Sequence, residues 1–202
     1  MSVVDLRTRV TNDWNKFNHF LKSSDSLIYV EGTINLPENG PASLDLSLGP
    51  QWYDPKSQKY YSIEEKGVFI KPGEAVVLET AQRIGVPFNV FGIVTGKGKF
   101  IYKGVFVSTG KIDPGFNNKL LIGVFNGGRE TINIRRDEDF CSCCFFQTES
   151  NIDIPLRIYP ESSSKIFSNE PVSQKVKTWY LKNWKVLVPI LISICSLVVA
   201  TF

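Results

Sequence analysis

Val107-Ser-Thr-Gly-Lys-Ile-Asp-Pro-Gly-Phe116, continuing to Phe125-Asn-Gly-Gly128, is the stretch on which the fold turns. Its ends fall in Lys103–Val107 and Leu120–Asn126, two short runs rich in Val, Ile, Leu and Phe, and its middle is punctuated by Gly, Pro and Asn. Such a pattern reads as strand, turn and strand. It extends outward through Leu27–Val30, Ser43–Leu48, Gly67–Ile70, Ala75–Glu79, Val90–Thr95, Thr131–Ile134 and Cys141–Thr148. Nine closely spaced strands with turn residues between them predict an all-β barrel or sandwich.

Upstream the period changes. Val3, Leu6, Val10, Trp14, Phe17 and Leu21 recur every three or four residues, which predicts an amphipathic helix over about residues 3–22, ended by the polar segment Ser23 to Ser26. The single histidine, His19, falls off that stripe and reads as a surface residue. With one histidine near the N-terminus, His-based metal clusters and His-dependent triads have little to work with. Cys141, Cys143 and Cys144 lie in one predicted strand, where neighbours point to opposite faces, so they read as reduced thiols of a core strand. Arg135-Arg136 before Asp137-Glu-Asp139 reads as a charged hairpin turn.

The 202 residues are 43% hydrophobic and 21% charged, a globular balance with room for one domain and an appendage. The net charge of +3 is unevenly placed: Lys165, Lys175, Lys177, Lys182 and Lys185 against Glu170 give +4, and the first 164 residues sum to −1. A domain without net positive charge is poorly suited to duplex nucleic acid. From Val186 to Phe202 there is no charge, and eleven of the 17 residues are Val, Leu, Ile or Phe. A helix of that length spans roughly 25 Å at ~1.5 Å per residue, near the lower limit for crossing the hydrocarbon core. The eleven large apolar residues favour insertion by roughly 3–7 kcal/mol. Trp179, Tyr180 and Trp184, interleaved with Lys177, Lys182 and Lys185, have the aromatic and basic character of a membrane interface. The expectation is a single-pass tail anchor with Lys185 and its neighbours on the cytoplasmic side. Asp5, Arg7 and Arg9 interrupt any apolar run at the start, so no signal peptide is expected there. The predicted organisation is a helix over 1–26, a β domain over 27–159, a polar stalk and juxtamembrane segment over 160–185, and a transmembrane helix over 186–202.

Four stretches together resemble the dCTP deaminase and dUTPase superfamily. They are Pro41-Ala-Ser-Leu-Asp-Leu-Ser-Leu-Gly49, Ile70-Lys-Pro-Gly-Glu-Ala-Val-Val-Leu-Glu79, the opening stretch from Val107 to Gly128, and Arg135 to Gln147. The resemblance covers about residues 27–149. It implies a homotrimer of distorted β-barrels with nucleotide sites between subunits, with Asp45 and Gln147 in the first and fourth motifs. It also implies roles for Asp113, which matches the dUTPase aspartate that activates water, and for Phe116, which matches the aromatic against the deoxyribose. Two departures bear on chemistry. Where deaminases carry a general acid and base glutamate this chain has Gly123, and glycine can neither give nor take a proton. Where the family reads Gly-Arg-Ser-Ser, followed in deaminases by another arginine, this chain has Gly96-Lys-Gly-Lys-Phe100 and then Tyr102. Taken on its own that turn is either a solvated hairpin or an anion-binding loop in which Lys97 and Lys99 act as point charges, and it lacks the length of a P-loop. The glycine-rich closing arm of dUTPases has no counterpart.

The expected function is a membrane-anchored, non-deaminating nucleotide-binding or signalling module, a homotrimer that contacts lipid and binds a nucleotide or other small anion, with Mg²⁺ if the ligand is a triphosphate. A sensor or effector in a defence system is one use of that architecture. The alternatives are a membrane-tethered dUTP or dNTP pyrophosphatase using Asp113, and a structural trimeric membrane protein with an empty site.

Overall fold

The computed structural model describes residues 2–36, 42–152 and the backbone of 157–158. Contacts divide the chain into Met1–Glu161 and Ser162–Phe202, and the second unit lies outside the described residues. In chain order the elements are β1 (Ser2–Val3), α1 (Leu6–Arg9), β2 (Val10–Thr11), α2 (Trp14–His19), β3 (Ile28–Glu31), β4 (Ser43–Asp54) and β5 (Lys59–Ser62). Then come β6 (Val68–Ile70), β7 (Ala75–Gly85), β8 (Val90–Gly96), α3 (Gly98–Ile101), β9 (Val105–Val107) and β10 (Lys111–Ile112). The last are β11 (Phe116–Asn126), β12 (Ile132–Ile134), β13 (Asp139–Gln147) and β14 (Arg157–Ile158).

All nine predicted strands form, several of them longer than their apolar runs. Twelve strands share one sheet whose path runs β10-β8-β13-β4-β7-β11-β14, and β6 pairs with β12 separately. The path does not return on itself, so among the described residues the expected distorted β-barrel is mainly β as foreseen but not closed. The long strand β4 links its two parts. Residues Ser43–Ser47 pair with β13, and Leu48–Tyr53 pair with β7 across a register shift. That shift falls at Gly49-Pro50, where a Cβ on Gly49 would lie 2.7 Å from the Thr80 carbonyl oxygen. Strand alternation buries Leu44, Leu46 and Leu48 from β4, and Cys141, Cys143 and Phe145 from β13, in one apolar cluster. The intervening Asp45, Ser142 and Cys144 are only half-buried.

The N-terminal region departs from expectation. In place of one helix over 3–22 there are two short ones, because Val10–Thr11 pairs in parallel with Ile28–Tyr29. Asp5 caps α1 by accepting from the Arg7 N–H at 3.0 Å, and Asp13 caps α2 by accepting from Asn15 and Lys16. Two capping aspartates and a β-branched pair favour a break at this point. Leu6 and Phe17 of the apolar stripe are still buried, and His19 is exposed.

The decisive stretch closes as a turn: the Phe116 N–H donates to the Asp113 carbonyl at 3.1 Å, and Gly115 sits at φ +75°. Pro at the second position and a left-handed Gly at the third make the sequence fit this turn. Residues 135–139 also turn, with Asp137 at φ +60°, but β12 pairs with β6 rather than β13. They therefore join two sheets instead of closing the expected hairpin. Among the described residues no helix is long and apolar enough to cross a membrane. The predicted span 186–202 lies outside them, as do the stalk, Trp179, Tyr180, Trp184 and Lys185.

Candidate functional site

The face of the sheet where β4, β8 and β13 meet carries a polar cluster. Lys97, just beyond β8, contacts the Asp45 carboxylate and stands 3.9 Å from Asp139. The other oxygen of Asp45 accepts from Ser142 Oγ at 2.6 Å. Asp139 accepts from Ser47 Oγ at 2.8 Å and from Asn35 Nδ2 at 3.1 Å. Gln82 completes the network, accepting from the Ser47 N–H at 3.0 Å while its amide donates to Thr33. The Lys97 and Asp45 side chains keep only 23% and 14% of their exposure, so the pair is poorly solvated and each charge depends on the other. One ammonium thus ties β4, β8 and the start of β13 together.

Lys99 takes a separate partner, donating to Glu138 Oε1 at 2.7 Å and lying 4.8 Å from the Phe100 ring centre. Burial acts to raise the Glu138 carboxyl, but the Lys99 bond, the Arg135 N–H and the charges of both residues outweigh it and hold the group below its ordinary range. The acidic end of the 135–139 turn therefore supplies Lys99 with its partner and Lys97 with a second carboxylate beside Asp45. Sequence reading paired neither, because Asp45 lies 52 positions before Lys97 and Glu138 lies 39 positions after Lys99. The signal available was the alternation that puts Asp45 and Ser142 on the face opposite the apolar residues.

Asp113 and Phe116 lie elsewhere. Asp113 is 3.3 Å from Lys111 Nζ, with both side chains well exposed, and Phe116 is half-buried against the core. Ile112 sits opposite Gly92, and antiparallel pairing carries Asp113 further from Lys97. At ~3.3 Å per residue the two are separated by roughly 20 Å of strand. Gln147 pairs opposite Val90, at the same distant end of β8, and its amide donates to the Ser24 carbonyl. One copy of the chain thus unites Asp45 with Lys97, but places Asp113, Phe116 and Gln147 apart from them.

Gly123 lies in the middle of β11, opposite Val77. Its N–H donates to Ser108 Oγ at 3.0 Å, and its carbonyl accepts from the Ser108 N–H at 2.7 Å. A Cβ at this position would meet Ser108 Oγ at 3.4 Å, an ordinary contact, so no crowding at Cβ requires glycine here.

The three described cysteines are free, with Cys141 and Cys143 buried and Cys144 half-buried. Burial, with a smaller contribution from the Asp45 charge, pushes the Cys141 thiol up to about 12, and Cys143 lies well above the ordinary value for the same first reason. Thiols held neutral in this way are packing residues and poor nucleophiles.

A family model described as dCTP deaminase-like matches residues 22–148. The dCTP deaminase of Pyrococcus abyssi is 28% identical over 127 residues, covering 62% of this chain and 81% of that protein. Among solved structures, the 2′-deoxycytidine 5′-triphosphate deaminase of Agrobacterium tumefaciens aligns with a TM-score of 0.50 at 16% identity, over 58% of this chain and 42% of that one, a likeness of fold alone. The dUTPase of EIAV aligns with a TM-score of 0.48 at 24% identity, over 66% of this chain and 99% of that one. Matched across more than half its length, the chain belongs to the dCTP deaminase-like family.

Proposed function

We propose that the chain is a non-deaminating nucleotide-binding module of this family, working as a membrane-anchored homotrimer. The observation that carries the reading is Gly123. The catalytic glutamate of deaminases, as the resemblance implies, is replaced by a residue with no side chain, and the Ser108 hydroxyl takes up the exposed backbone N–H. A serine hydroxyl is far too weak an acid or base to shuttle protons at a cytosine ring at neutral pH, and loss of a positioned acid or base costs typically 10²–10⁴-fold in rate. The separation of Asp45 from Asp113 and Gln147 within one copy supports a site completed by a second subunit. The apolar segment 186–202 would hold three such domains at the inner face of a membrane, where ligand binding alters the clustered tails. A sensor or effector role in defence fits that arrangement. Mg²⁺ would arrive with the phosphates if the ligand is a triphosphate.

The second reading, a pyrophosphatase, is favoured by one feature: Asp113 is retained in an exposed turn, with 43% of its side chain open. Residues 149–202 contain no glycine and so no glycine-rich arm of the dUTPase kind to exclude water and orient the phosphates, and turnover should be absent or very slow. The test is incubation of the purified full chain with dCTP, dUTP and Mg²⁺, with products resolved by chromatography. The expected result is no conversion of dCTP to dUTP. Deamination would overturn the reading of Gly123, and brisk pyrophosphate release abolished by Asp113→Asn would establish the hydrolase. Failure to bind any nucleotide would leave the structural trimer.

A further inference from the structure

The loop that resembles a phosphate-holding motif has already spent both of its lysines. Lys97 is engaged by Asp45 and lies within reach of Asp139, and Lys99 is bonded to Glu138. The five charges so joined sum to −1. Adding the rest of the turn, Arg135 and Arg136 against Asp137, brings the group to zero. A triphosphate brings about four negative charges and needs a surplus of cations to receive them, and among the described residues this face of one copy offers no lysine that its own carboxylates do not already hold. To reach a phosphate, Lys97 would have to leave a poorly solvated carboxylate whose remaining partner is the Ser142 hydroxyl, exposing that charge both to a buried setting and to the incoming anion. Lys99 would have to release Glu138, leaving a half-buried carboxylate without its only ion-pair partner among the described residues.

We infer that this site takes a nucleoside, or a nucleoside carrying at most one phosphate, in preference to a triphosphate. The inference rests on the nucleotide-site reading of this face and specifies its ligand class. Lys97 is then a positioning residue, the internal counter-charge of Asp45 and Asp139 that fixes the ends of β8 and β13 against β4. It is not a phosphate ligand.

The test is calorimetric titration of the full chain, at one fixed salt concentration, with deoxycytidine, dCMP and dCTP, and separately with deoxyuridine, dUMP and dUTP. The expected order is nucleoside equal to or tighter than monophosphate, with the triphosphate at least tenfold weaker. A triphosphate that binds as tightly as its nucleoside, or tighter, overturns the inference. Inorganic tripolyphosphate, titrated alone, reads the charge balance without a base. The unaltered chain should not bind it measurably, while Glu138→Gln, which releases the half-exposed Lys99, and Asp45→Asn with Asp139→Asn, which release Lys97, should each gain tenfold or more. Glu138→Gln serves where the double variant fails to fold. If no nucleoside or nucleotide binds at all, the nucleotide-site reading falls. The tripolyphosphate arm then decides the charge argument, since absence of any gain in Glu138→Gln overturns it and a gain upholds it.

Discussion

At the scale of single residues, two buried or half-buried carboxylates respond to pH with opposite sign. Glu138 has a folded pKa below its ordinary value, so its contribution to stability is fully present above the unfolded pKa of about 4.3 and is lost as pH falls through the folded one. Glu79, in β7, is only 10% exposed and faces Lys119 at 3.5 Å. Burial raises its pKa more than the lysine lowers it. Its ionisation therefore weakens the fold as pH climbs from the unfolded pKa through the raised folded value. Urea unfolding of the wild type, Glu138→Gln and Glu79→Gln between pH 3 and pH 8 should show the two variants diverging. Glu138→Gln loses ground to the wild type as pH rises, and Glu79→Gln gains ground. Parallel curves would mean that neither carboxylate differs between the folded and unfolded chain.

At the scale of elements, β4 holds the fold's two parts together, and Gly49 permits its change of partner. A methyl group at Gly49 meets the backbone of Thr80 and Glu79 at 2.7–2.9 Å, with no flexible side chain to yield, whereas a methyl at Gly110 meets nothing within 4 Å. Gly49→Ala should cost about 2–3 kcal/mol, as overpacking against fixed atoms does, and Gly110→Ala should stay within about 0.5 kcal/mol of the wild type. Equal denaturant midpoints for the two would show that β4 shifts freely at this corner. The strands were legible because Val, Ile and Phe alternate between turn residues, a local signal that survives in the fold. The N-terminal stripe misled for the opposite reason: Leu6 and Phe17 are buried as a helix would bury them, but the pairing of Val10–Thr11 with Ile28–Tyr29 is a distant contact that periodicity cannot express. Strand β5, Lys59-Tyr-Tyr-Ser62, is mostly exposed and shows no apolar alternation, and β10 has only two residues, so neither announces itself. The site was legible as to Asp45 and Lys97 individually, but not as to their partnership. A lysine in a glycine-rich turn looks open to ligands until the strand register brings a carboxylate to it.

At the scale of the whole molecule, the proposed site has its residues at the two ends of β8, so on that reading another copy of the chain must bring them together, and closed symmetric assemblies are the usual way to supply one. Met1–Glu161 is a compact unit with its own apolar core, so a chain ending at Glu161 should fold, remain soluble and sediment as a trimer at micromolar concentration. A monomer under those conditions would leave Asp113 and Asp45 in unrelated places and would remove the composite site. Such a truncation also separates assembly by the β domain from any assembly by the apolar tail. The full chain should behave differently, because eleven large apolar residues without an intervening charge favour insertion by roughly 3–7 kcal/mol, while the preceding lysines add only about 1 kcal/mol each at an anionic surface and lose it in high salt. It should therefore pellet with membranes through washes in high salt and in alkaline carbonate, and leave them only in detergent. Release by salt alone would assign the attachment to Lys177, Lys182 and Lys185 and not to the segment from Val186 to Phe202. Release by carbonate but not by salt would place the tail on the surface of the bilayer rather than across it, which would deprive the trimer of any means of carrying a signal to the other side.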